Sequence, residues 1–289
     1  MIKKMADLNK RLLVSTIVVL IVGFLLAFYS YTYVTALLVI LIAAIVGVGV
    51  WEYANFALAK SLKPTVSCMI FVGVLEVFAF FAAHKQFVFP EFPALILVLG
   101  AVLFFLLHFK NTSDALIYVA VEFFGVCYVS VPLSFLLGIL YPIMHHDILQ
   151  DGRWWLIYLI LVTKITDVAG YFVGRLWGKH KLAPVLSPKK TVEGALAGFV
   201  FAILMSVSFS FIGKMLAPHS FHLPLKGAIF LGMLIGVFAQ VGDLAESLLK
   251  RDAIVKDSNR LPGLGGILDM MDSLLLTTPI VYFYLRINS

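Results

Sequence analysis

A bilayer tolerates a polypeptide backbone only where its amides and carbonyls are satisfied internally, so a chain made of repeated apolar runs of about twenty residues must be helical across them. Nine such runs punctuate this sequence: Leu12–Tyr29, Val34–Val50, Thr65–Ala83, Pro93–Leu107, Ala115–Leu140, Trp154–Val173, Gly194–Phe211, Ala228–Leu249 and Gly266–Leu285. Pro93–Leu107 is short, and without it the count is eight. A tilted helix in a thinned bilayer still crosses, so nine is the reading adopted. Residues are 62% hydrophobic and only 13% charged, which excludes the soluble globular class. The expected fold class is therefore all-α, a polytopic integral membrane protein of about nine transmembrane helices. Leu12–Tyr29 follows basic residues as the apolar core of a signal peptide would, but it is long and no small-residue cleavage site follows it. It reads as a retained first span.

Cytoplasmic loops carry the excess of Lys and Arg. With the N-terminus inside, sixteen of the 22 basic residues fall in cytoplasmic segments, five fall outside, and Lys164 lies within a span. The expectation is a cytoplasmic N-terminus and an external C-terminus. Two cytoplasmic loops, Gly174–Glu193 and Lys250–Gly265, supply most of the net charge of +6. Charge alone is explained by topology and anionic headgroups. The acids flanking these loops are not. Asp167, Asp243, Glu246, Asp269 and Asp272 lie in or beside spans, where ionisable groups are expensive and mark function.

Asp269 and Asp272 are three apart, as are Asp243 and Glu246, so each pair projects from one face of a helix. Like charges so placed repel unless a cation lies between them. Oxygen donors without His or Cys select a hard ion such as Mg²⁺, which completes its shell with water and substrate phosphate. The competing reading pairs the acids with Lys164, Lys250 or Arg251 as structural ion pairs. For one carboxylate the two readings balance, whereas several at the cytoplasmic ends of three helices favour a site. Two further features point to phosphate. Pro262, Gly263, Gly265 and Gly266 lead into a helix whose first amides would form an anion site, approached by Lys250, Arg251, Lys256 and Arg260. In the other loop Ser187, Lys189 and Lys190 precede Thr191, an expected N-cap.

Taken together, "DVAGYFVGRLWGKHKL" at Asp167–Leu182, "SPKKTVEG" at Ser187–Gly194 and "GDLAESLLKRDAIVKDSNRLPGLGGILDMMDS" at Gly242–Ser273 resemble the phosphatidate cytidylyltransferases, or CDP-diacylglycerol synthases. The matched positions of the last stretch are Ser247, Lys250, Arg251, Lys256, Asp257, Pro262, Gly263, Gly265, Gly266, Asp269 and Asp272. The resemblance is specific over about the last 125 residues and general before them. Leu264 and Met270 depart from it, at positions the family usually gives to His and Arg. It implies conversion of phosphatidate and CTP to CDP-diacylglycerol and pyrophosphate. Asp243, Asp269, Asp272 and Glu246 would hold Mg²⁺, and a second, monovalent cation stays open. Lys250 and Arg251 join the three Asp as catalytic residues. Ser187, Lys189, Lys190, Thr191, Lys256, Asp257, Gly263, Gly265, Gly266 and Asp167 would bind substrate, with Asp167 either paired to Lys164 or part of the polar cavity.

The expected organisation is one membrane domain, 1–289, in which residues 1–150 brace the catalytic half or form a homodimer and residues 151–289 carry the chemistry at the cytoplasmic face of a bacterial-type inner membrane. CTP, phosphatidate and the lipid bilayer are the expected partners, and nucleic acid is not. A CTP-dependent polyprenol or phytol kinase and an ion-coupled transporter are the alternatives. His145, His146 and Asp147 read as an external solvated loop, Cys68 and Cys127 as packing residues, and Glu76 and Glu122 as acids lining a cavity or pairing at a helix contact.

Overall fold

The computed structural model describes residues 16, 20–110, 113–142, 150–255 and 266–288. Its helices are α1 (Thr32–Ala59), α2 (Val66–His84), α3 (Phe92–His108), α4 (Ala115–Leu140), α5 (Gly152–Trp177), α6 (Val192–Leu216), α7 (Leu225–Asp252) and α8 (Ile267–Asn288). Residues 20–27 are helical as well. Among the described residues, all but α3 of the named helices are long and apolar enough to cross a membrane, which makes seven candidate spans. α3 has 17 residues. Most of the expected run Leu12–Tyr29 lies outside the described residues. The chain is an all-α polytopic membrane protein, and among the described residues its one β element lies between α5 and α6, a hairpin of β1 (Lys181–Ala183) and β2 (Ser187–Thr191), paired antiparallel with Lys181 opposite Thr191.

Two compact units divide the chain, one formed by Met1–Val131 with Ala253–Met270, the other by Pro132–Asp252 with Met271–Ser289. In the first, α2 packs between α1 and α3, burying Val46, Val50, Met69 and Val77 completely. Two buried carboxylates serve helix starts here. Glu122 of α4 accepts from the backbone N–H of Thr65 at 2.7 Å and from its hydroxyl at 2.8 Å, at the head of α2, and lies 3.1 Å from Nε2 of His108. Of the two roles open to it in sequence, helix pairing is the one seen. Glu52 of α1 accepts from the N–H groups of Ile267 and Leu268, at the head of α8.

In the second unit α5, α6 and α7 pack on one another. Lipid supplies no hydrophobic drive between helices, so contact rests on close packing of small residues and on interhelical hydrogen bonds. Both are present. A Cβ at Gly198 of α6 would come within 2.7 Å of the Thr166 carbonyl of α5, and one at Gly242 of α7 within 2.6 Å of the Asp272 carbonyl of α8. The Tyr158 hydroxyl lies 2.6 Å from Oγ of Ser206, which itself donates to the Ala228 carbonyl. Thr163 and Thr277 hydroxyls meet at 3.0 Å. Toward the α5 N-terminus, Trp155, Tyr158, Phe209 and Phe221 form an aromatic core in which Trp155–Tyr158, Tyr158–Phe209 and Phe209–Phe221 meet edge to face and Trp155–Phe221 is tilted. The start of α5 is capped by Asp151, which accepts from the Arg153 amide.

Candidate active site

Where α5 ends and α6 begins, a cleft of about 710 Å³ opens, lined from α5 by Asp167, Tyr171 and Arg175, from the hairpin by Lys181, Lys189 and Lys190, and from α7 by Gln240 and Asp243. Local chemistry builds each wall. Thr191 ends β2 in extended conformation, and its Oγ1 accepts from the Gly194 amide, starting α6 where the sequence placed the cap. Glu193, in the first turn of α6, accepts from the backbone amides of Lys179 and His180 and lies 2.6 Å from Nδ1 of His180. That carboxylate ties the base of the hairpin to the helix it feeds. On α7, Gln240 and Asp243 are three apart and share a face. The Gln240 amide nitrogen donates to the carbonyls of Ala195 and Gly236.

Across the cleft, Lys190 of the hairpin forms an ion pair with Asp243, both half-buried. Asp167 lies 3.9 Å from Lys164 one turn earlier. The buried Ser273 hydroxyl stands 3.3 Å from Asp167 and 3.1 Å from Asp272, so one hydrogen is shared between two carboxylates. Asp272 also accepts from the Ser273 amide at 2.5 Å. The carboxylates of Asp167, Asp243 and Asp272 stand near enough to feel one another's charge. Asp269 occupies the first turn of α8.

Some of the expected groups stand elsewhere. Lys250 binds Glu246 at 2.6 Å, with Glu246 fully buried. This is the structural ion pair that the i, i+4 spacing also allowed. The Arg251 Nε donates to the Leu186 carbonyl at 3.1 Å, so this guanidinium tethers the hairpin. Ser187 opens β2, and neither it nor Glu246, Lys250 or Arg251 lines the cleft. The glycine-led start of α8 differs from the expectation more sharply. The carboxylate of Glu52 already holds the amides of Ile267 and Leu268, at 3.0 and 2.8 Å, so these two N–H groups do not serve a phosphate. Gly266 precedes them, buried. Lys256, Asp257, Gly263 and Gly265 lie outside the described residues, as do His145, His146 and Asp147. Tyr171, Arg175, Lys181 and Gln240 are additions. Gln240 was findable by its spacing from Asp243, whereas Lys181 reaches the cleft only through the hairpin register.

Among the described residues, no three of His, Cys, Asp and Glu gather closely enough to cage a metal ion unaided. Carboxylate oxygens are donors that would fit a hard ion such as Mg²⁺, which uses one or two carboxylates and leaves the rest of its octahedron to water and phosphate. A zinc site, with its nitrogen and sulfur ligands, does not match this donor set.

A family model described as the Cytidylyltransferase family matches residues 9–288. The chain belongs to that family. It is 33% identical over 288 residues to a phosphatidate cytidylyltransferase of Chlamydia pneumoniae, covering 98% of this chain and 93% of that one. A Bacillus subtilis protein of the same name is 32% identical over 288 residues, covering 99% of this chain and all of its own length. Identity rises to 47% over 166 residues with the protein so named in Chlamydia trachomatis, covering 57% of this chain and 54% of the relative.

Proposed function

We propose that this member of the cytidylyltransferase family transfers a cytidylyl group from CTP to phosphatidate, forming CDP-diacylglycerol and releasing pyrophosphate. The observation that carries this reading is the cleft itself, where three hairpin and strand lysines face Asp167 and Asp243 at the edge of a helical bundle. Both substrates are polyanions. A phosphatidate oxygen must attack the α-phosphorus of CTP in line as the bond to the pyrophosphate oxygen breaks, so positioning and neutralisation supply most of the rate.

Lys181, Lys189 and Lys190 provide that neutralisation, and the Lys190–Asp243 pair holds one ammonium at the wall before substrate arrives. Thr191 accepts from Gly194 and so keeps its own hydrogen for a phosphate oxygen. The proposed magnesium ligands are one or two of Asp243, Asp269 and Asp272, with Asp167 joined to Asp272 through the Ser273 hydroxyl. When bound, Mg²⁺ would supply a Lewis acid and a template for the triphosphate. Lys250, Glu246 and Arg251 support the cleft, holding the end of α7 and the hairpin. The excess of Lys and Arg in the segments read as cytoplasmic supports a cleft open to the cytoplasmic face, where CTP would arrive from water while acyl chains stay in lipid.

The test is turnover of purified protein in detergent with phosphatidate, labelled CTP and Mg²⁺. CDP-diacylglycerol and pyrophosphate should appear in equal amounts and vanish with EDTA. Release of CDP with a phosphorylated polyprenol would replace the reading with a lipid kinase.

A further inference from the structure

We propose that Glu52 is a positioning residue for cytidylyl transfer, acting from α1 on the first turn of α8, the helix that carries Asp269 and Asp272. The proposal rests on the reading that these two acids serve the reaction. Glu52 is fully buried, and its two carboxylate oxygens accept separately from the amides of Ile267 and Leu268, 215 and 216 residues away. A buried carboxylate is tolerated only with strong partners. The positive end of a helix is such a partner, and the arrangement in turn satisfies amides that have no acceptor within the helix.

The geometry points beyond stability. Asp269 follows Leu268 directly, and the helical bond from Met270 to the Gly266 carbonyl, at 3.2 Å, closes the same turn. Fixing two successive amides fixes the backbone from which Asp269 projects and the start of the rise to Asp272. The end of a helix would otherwise fray within its first turn. Glu122 provides the internal comparison. It is equally buried and serves the head of α2, a helix that bears none of the candidate site residues.

Glu52→Gln and Glu52→Ala, with Glu122→Gln as reference, separate positioning from mere folding. Hydrogen exchange of the metal-free, full-length protein in detergent reads the cap itself. The peptide beginning at Gly266 should exchange about tenfold faster in Glu52→Ala, the size expected for a lost helix cap. Mg²⁺ titration of turnover reads the consequence. The concentration for half-maximal activity should rise about 10- to 100-fold in Glu52→Ala and less in Glu52→Gln, which keeps one carbonyl acceptor. Glu122→Gln should lower the melting temperature and leave both readouts within about twofold of wild type, the ordinary reach of a substitution remote from the metal. Unchanged exchange at the head of α8, or an unchanged Mg²⁺ response in folded Glu52→Ala, overturns the proposal. So does a Glu122→Gln protein with the same Mg²⁺ shift, which would make the effect one of general loosening. A wild-type protein without cytidylyl transfer refutes the function rather than the cap, and the exchange readout then decides the cap alone.

Discussion

Gly242→Ala is the smallest change that should move one candidate metal ligand against another. Gly242 lies beside Asp243 on α7, and its α-carbon faces the backbone of α8 at Asp272 and Ser273. An added Cβ would sit 2.6 Å from the Asp272 carbonyl oxygen and 3.1 Å from the Ser273 Cα, where ordinary contact begins at 3.4 Å. Both obstacles are backbone, so no side chain can swing aside. The helices must part by about 0.8 Å, the difference between ordinary and imposed contact. Overpacking of this kind costs about 1–3 kcal/mol. A displacement near 1 Å in a reacting constellation lowers turnover about 100-fold. The expected result is a protein that folds, melts a few degrees lower, and turns over phosphatidate and CTP about 100 times more slowly. Gly47→Ala is the reference, since its Cβ meets only Ile70 and Val74 side chains at 3.6 Å. Wild-type turnover in Gly242→Ala would refute the argument that the α7–α8 approach sets the site.

Other substitutions probe single groups. Asp269→Asn should reduce turnover more than about 100-fold in a protein with an unchanged melting profile, and an active variant would remove Asp269 from the ligand set. Lys190→Met should raise the KM for CTP about 10- to 100-fold, the size of a lost hydrogen bond to a charged group, as read by initial rates against CTP. Tyr158→Phe removes the buried bond to Ser206 and should cost about 1 kcal/mol in a melting experiment while leaving kcat unchanged.

The sequence by itself determined what depends on neighbours along the chain. Apolar runs of bilayer length specify helices because backbone groups in lipid must bond within their own segment. Thr191 was legible as a cap because the N–H group it accepts from, the Gly194 amide, is three residues away. The i, i+3 placement of Asp269 and Asp272 follows from helix geometry alone. Tertiary structure decided the partners. Spacing permitted Lys250 to bind Glu246, but only the fold joins Lys190 to Asp243, aims Arg251 at Leu186 and turns the basic loop into a hairpin. The head of α8 shows the limit most plainly. Its glycines and free amides read as an anion site, and the anion proved to be Glu52, supplied from the other end of the sequence. A helix terminus advertises its positive charge locally, but which carboxylate reaches it is set by the packing of segments more than two hundred residues apart, and that information is spread over every contact that holds those helices together.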